Sequence, residues 1–110
     1  MSKPIVWLGD TKEMLSAFPK AVREDFGHQL WLVQEGDQPD DWKPMATVGA
    51  GVTEIRVHHK SEYRVLYVAK FTEAIYVLHA FMKKTQRTGG NDLRLAAQRY
   101  QGLVGLRKQR

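Results

Sequence analysis

One stretch, Ile75-Tyr76-Val77-Leu78-His79-Ala80-Phe81-Met82-Lys83-Lys84-Thr85, limits what this chain can fold into more than any other. Seven of its first eight residues are apolar, with Ile, Val, Tyr and Phe prominent. Such a run reads as a strand buried on both faces, and so as the centre of a sheet covered on each side. Where the apolar run stops, Lys83, Lys84, Thr85, Gln86 and Arg87 follow at once. The strand therefore delivers its last side chains into a cationic, hydrogen-bonding cluster suited to an anion.

The remaining segments supply the cover. Ile5 to Leu8 is a short β-type segment ended by Gly9-Asp10. Asp10 with Glu13 has the spacing of a capping box, and Met14, Leu15 and Phe18 fall on one side of the short helix that follows. After Pro19, the recurrence of Val22, Phe26, Leu30 and Val33 predicts an amphipathic helix to about Glu35, with Gly36 as its stop. From Gly36 to Gly51 there is no periodicity, only prolines, glycines and aspartates, which predicts a long loop. Trp42 pins that loop to the core, and Lys43 is within reach of an anion. Thr53–His58 and Tyr63–Val68 read as an antiparallel hairpin joined through residues 59–62. After Thr88-Gly89-Gly90, Asn91 is placed to cap a terminal helix carrying Leu93, Ala96, Ala97 and Tyr100 at helical spacing. The strands and helices are segregated along the chain. The fold class is therefore α+β: an N-terminal strand and helical hairpin packed on a mostly antiparallel four-stranded sheet, with a C-terminal helix.

At 110 residues the chain is expected to form a single domain spanning 1–110, with one modest core. It has no cysteine, which fits a reducing compartment, and its N-terminal apolar run is too short for a signal peptide or a membrane span. The expected location is cytoplasmic. A net charge of +5 is unevenly placed: acidic residues outnumber basic ones in the first half, and the second half is strongly basic. A basic half of a small domain is the footprint of a nucleic-acid partner, and a solvated basic surface looks the same.

Hairpin register decides which charges meet. Placing Arg56 opposite Arg64 puts Ile55, Val57, Tyr63, Val65 and Tyr67 on one face, against the helices. Glu54, Arg56 and Arg64 then lie on the other, beside Leu66 and Val68. A slip of one residue would drive an arginine into the core, so burial selects this register. Two arginines side by side repel unless an anion or a carboxylate such as Glu54 lies between them. Lys83 and Lys84 emerge beside the same hairpin.

Glu54-Ile55-Arg56, Tyr63-Arg64-Val65-Leu66-Tyr67 and Leu78-His79-Ala80-Phe81-Met82-Lys83-Lys84-Thr85-Gln86, followed by a helix containing Ala96 to Arg99, resemble the phage-derived, HigB-like branch of the RelE/ParE toxin superfamily. The resemblance runs over most of the chain, and the third motif is its specific part. It implies a RelE-like fold and the toxin of a type II toxin–antitoxin pair that cleaves messenger RNA on the ribosome. The partner it implies is a cognate antitoxin with a helix-turn-helix domain, HigA-like. Arg56, Arg64 and Lys84 occupy positions that resemble the family's catalytic arginine and lysine sites, with Lys83 adjacent. Glu54 stands where better-studied relatives often carry a lysine, and no tyrosine closely follows Lys83-Lys84.

Cleavage of this kind removes a proton from a ribose 2′-hydroxyl, and fixed cations stabilise the charge that develops on the phosphate. Arg64 is the first candidate for that task, with Arg56 and Lys84 beside it, because a guanidinium fork holds two phosphate oxygens. Glu54 and His79 are the candidates for proton transfer, with His58 and His59 more distant. A histidine inside an apolar run also reads simply as a satisfied core residue. Lys43, Lys60, Thr85 and Arg87 are expected along the RNA path. The four histidines have no recognised metal-ligand spacing, and no cofactor is expected. The competing class is a non-enzymatic interaction protein of the same fold, such as an inhibitor of DNA gyrase.

Overall fold

A computed structural model of the chain describes residues 2–83 and 89–109. In chain order its elements are β1 (Ile5–Trp7), α1 (Thr11–Ser16), α2 (Lys20–Gln34), β2 (Trp42–Pro44), β3 (Val52–His59), β4 (Ser61–Val68), β5 (Ile75–Lys83) and α3 (Gly90–Lys108). The strands form one mixed sheet in the order β1-β5-β4-β3-β2. All neighbours are antiparallel except β1, which runs parallel to β5. The fold is α+β.

The sheet is covered on both faces, which is why β4 and β5 are apolar almost without interruption. On one face Val22, Phe26, Leu30 and Val33 of α2 pack on Ile55, Val57, Tyr63, Val65, Tyr67, Ile75 and Val77. On the other, Ala96 and Leu103 of α3 close over Val52, Leu66, Val68, Tyr76, Leu78 and Phe81. The apolar stretch from Ile75 is thus an interior strand, as its composition requires. The middle position belongs to β4, because β1 and the short β2 take the two edges.

The hairpin has the expected register, with Arg56 opposite Arg64 and Ile55 opposite Val65. The strands run further toward each other than predicted, leaving Lys60 alone between them with a positive φ of 62°. Between β4 and β5 the pairing shifts at Leu66/Tyr67: Tyr67 faces Val77 and Leu66 faces His79, so Leu78 is an extra residue in β5. Such a bulge inserts one residue into one strand of a pair.

Three local expectations are corrected. The segment 36–51 is not wholly a loop, because Trp42–Pro44 pairs with β3 as an edge strand and Trp42 is exposed instead of pinned to the core. Asp10 makes no side-chain cap to α1; its carboxylate accepts from Arg99 of α3 at 2.7 Å. α3 starts two residues earlier than predicted, with Gly89 at the cap and Asn91 inside, where Asn91 accepts from Arg94. Gly36 does stop α2, at a φ of 88° that suits glycine.

Candidate nucleic-acid interface

On the sheet face that α3 packs against, the strands also set out charges in rows. Cross-strand partners share a face, so one row reads Lys43, Glu54, Leu66, His79 across β2, β3, β4 and β5. The next reads Arg56, Arg64, Phe81, and the one beyond it His58, Glu62, Lys83. Alternation along each strand keeps these residues on one side while Ile55, Val57, Tyr63 and Val65 fill the core behind them.

Glu54 is fully buried at the centre of this patch. Arg56 Nε donates to its Oε1 at 3.3 Å, and Arg64 Nε stands 3.5 Å from the same oxygen. The second contact is an ion pair without hydrogen-bond geometry, and Arg64 Nε has no hydrogen-bond partner among the described residues. Arg64 also donates from Nη1 to the Tyr63 carbonyl at 3.1 Å and from Nη2 to Glu62 Oε1 at 3.2 Å. Its side chain is 5% exposed, against 28% for Arg56. Repulsion between the two arginines is therefore offset from within by Glu54 and Glu62. Arg64 is held below the surface, and Arg56 presents the accessible guanidinium.

Lys83, half-buried at the end of β5, belongs to the same group. Its pKa is pushed down, first by burial and next by the neighbouring Arg64 charge, with Lys43 and Arg56 acting in the same sense and Glu54 opposing. Lys43 stands exposed on the edge strand opposite Glu54, and Lys60 is exposed at the hairpin tip. Lys84, Thr85 and Arg87 lie outside the described residues.

His79 ends the first of these rows, with Leu66 between it and Glu54, beneath the start of α3. Its Nε2 is 2.7 Å from Asp92 Oδ1 in the first turn of α3, its ring stacks on Phe81 at 5.1 Å, and it is nearly fully buried. Nδ1 has no hydrogen-bond partner among the described residues. Asp92 accepts the Nε2 proton and so ties the start of α3 to β5. This arrangement matches a core histidine more closely than one reaching substrate.

Two residues outside the sequence-derived set, Glu62 and Asp41, join the patch through His58, expected only as a more distant candidate. His58 Nδ1 is 2.6 Å from Glu62 Oε2, and its Nε2 is 2.8 Å from Asp41 Oδ2. The two carboxylates raise the imidazole pKa, with Glu62 the larger cause, and His58 in turn lowers that of Glu62. The signal for Glu62 was available: a register pairing Arg56 with Arg64 also pairs His58 with Glu62. Asp41 had no such signal, since it precedes an edge strand that the sequence does not announce.

A raised folded-state pKa means the native state binds more protons than the unfolded chain. Stability from His58 is therefore fully present below the ordinary histidine pKa and is lost as pH rises through the folded value. Thermal unfolding followed from about pH 6 to 8 is expected to show a steeper loss for the wild type than for His58→Ala. Equal slopes would mean that the two carboxylates do not hold the imidazolium.

Among the described residues no group of three or more His, Cys, Asp or Glu could hold a metal ion, and no helix is long and apolar enough to cross a membrane. The patch is net cationic, with its own internal carboxylates. Together with the five-stranded mixed sheet, two short N-terminal helices and a C-terminal helix, it defines a RelE-like α+β domain. Residues 13–101 match the phage-derived Gp49-like family (DUF891), and the chain belongs to that family, which is part of the RelE/ParE-like toxin clan. No curated protein matches the chain.

Proposed function

We propose that this protein is the toxin of a type II toxin–antitoxin pair, a metal-independent endoribonuclease that cuts messenger RNA on the translating ribosome. A cognate antitoxin with a helix-turn-helix domain neutralises it. The observation that carries this reading is the convergence of Lys43, Arg56, Arg64 and Lys83, from four adjacent strands, on one face of the sheet. Family membership in a toxin clan points the same way.

In the proposed reaction the ribose 2′-hydroxyl gives up its proton and its oxygen attacks the adjacent phosphorus. The bond to the 5′-oxygen breaks and that oxygen takes up the proton the 2′-hydroxyl gave up, leaving a 2′,3′-cyclic phosphate and a 5′-hydroxyl. Arg56 and Lys83 are placed to meet the phosphate, and Arg64 stiffens the site from beneath. Glu54 serves as counter-ion to both arginines, which disfavours it as the base. Lys83 is the better proton acceptor, since burial first and the neighbouring cations next make its ammonium a stronger acid than an isolated lysine. Positioning of the message by the ribosome supplies much of the remaining rate.

Inducing the protein in cells and mapping message 5′ ends, with and without ongoing translation, tests this. Cuts that require translation are expected. Replacing Arg56 or Lys83 by alanine is expected to lower cleavage by about 100-fold or more, the cost of losing one fixed donor to a developing oxyanion. Neither change removes core packing. Unchanged cleavage in the double variant would overturn the assignment.

A second reading is favoured by one specific observation: the arginine nearest the centre of the patch, Arg64, is buried and already bound by two carboxylates. A non-nuclease interaction protein of this fold, including a gyrase inhibitor, has no need of a free arginine there. Intact messages with stalled replication would select it.

A further inference from the structure

We infer that Glu62 is a built-in stand-in for a phosphate: its carboxylate fills an oxyanion site formed by Arg64 and His58, and an incoming phosphate takes that site by displacing it. The inference rests on the proposed function for the identity of the phosphate as RNA's, and on geometry for the exchange itself.

The two carboxylates of the patch differ in kind. Glu54 is fully buried between Arg56 and Arg64 and cannot leave without exposing both guanidiniums to each other. Glu62 is the second residue of β4, beside the hairpin tip, and its side chain is 42% exposed. A change of rotamer takes it into solvent without disturbing the strand. One of its oxygens accepts from Arg64 Nη2 at 3.2 Å and the other lies 2.6 Å from His58 Nδ1.

Arg64 has one edge left to offer. Nη1 is committed to the Tyr63 carbonyl and Nε faces Glu54, so Nη2, now on Glu62, is the outward group. His58 approaches from β3, and Lys83 stands directly opposite Glu62 on β5. An oxyanion at the Glu62 carboxylate position would therefore be met by cations from two neighbouring strands, Arg64 from β4 and His58 from β3. Its hold on His58 and Arg64 keeps the Glu62 carboxyl ionised, and thus keeps the site filled when no ligand is present. A tethered carboxylate competes with any free anion, and removing its charge removes the competitor.

The test is titration of inorganic phosphate into the full chain at low ionic strength, followed by NMR of the His58 ring and backbone amides. Glu62→Gln is expected to bind phosphate about fivefold or more tightly than wild type, the scale of one partly exposed ion pair. Glu62→Ala is expected to behave in the same way, and the His58 ring signals are expected to move with phosphate in both. Equal phosphate affinity in wild type and both folded variants would overturn the inference. Message mapping in the same variants keeps the two readings apart. A gain in phosphate affinity with uncut messages upholds the exchange and removes the nuclease; cut messages with unchanged phosphate affinity do the reverse.

Discussion

Glu54→Ala is expected to lower the free energy of unfolding by about 3–5 kcal/mol, because it leaves a buried guanidinium without its central counter-ion. The loss falls mainly on Arg64, whose side chain is 5% exposed; the contact to Arg56, 28% exposed, is screened by solvent and contributes less. Arg56 and Arg64 are direct cross-strand partners, so the substitution also releases the repulsion between them. Urea unfolding followed by circular dichroism measures this directly. A loss below about 1 kcal/mol would show that Glu62 alone can neutralise the pair, and that the centre of the patch is wetter than its burial implies.

Phe26→Ala is the matching experiment on the opposite side of the sheet. Phe26 is fully buried in α2, with its ring 6.1 Å from that of Phe18 and Ile55, Val65 and Val77 in the same cluster. Truncating a buried phenylalanine costs about 3–5 kcal/mol through lost burial and the cavity left behind. For a domain of this size that lowers the melting temperature on the order of 10–20 °C. Trp31, five residues on but 51% exposed, is the control: Trp31→Ala is expected to stay within about 0.5 kcal/mol. A calorimetric scan in which both variants melt alike would contradict the division of α2 into buried and solvated sides.

The parts of this structure that could be read from the sequence are those where burial enforces a pattern. The β3–β4 register was legible because a slip of one residue would bury an arginine among Phe26, Val57 and Val65. The stop at Gly36 was legible because the helical period ends there at a residue tolerant of positive φ. β2 was not, since Trp42-Lys43-Pro44 is exposed, has no alternation and owes its structure to the edge of β3. Nor was the fate of Asp10, whose local capping geometry lost to an arginine 89 residues away. The same limit applies to the site. Side-by-side arginines could be foreseen with Glu54 between them, because both follow from one register. The depth of Arg64, the hold of Asp41 on His58, and the tether from Asp92 to His79 depend on where β2 and α3 land.

Leu78 has a consequence that reaches beyond its own packing. Strand side chains change sides at every residue, so the parity of β5 after the bulge is the reverse of what its first half would dictate. Tyr76 points toward α3, and uninterrupted pleating would send 78, 80 and 82 the same way. The surplus residue instead gives His79, Phe81 and Lys83 that direction. Without it the lysine would emerge under α2, on the opposite side from Arg56 and Arg64. A single aliphatic residue with no charge of its own thus acts as the phase-setter that lets an ammonium and two guanidiniums address the same anion.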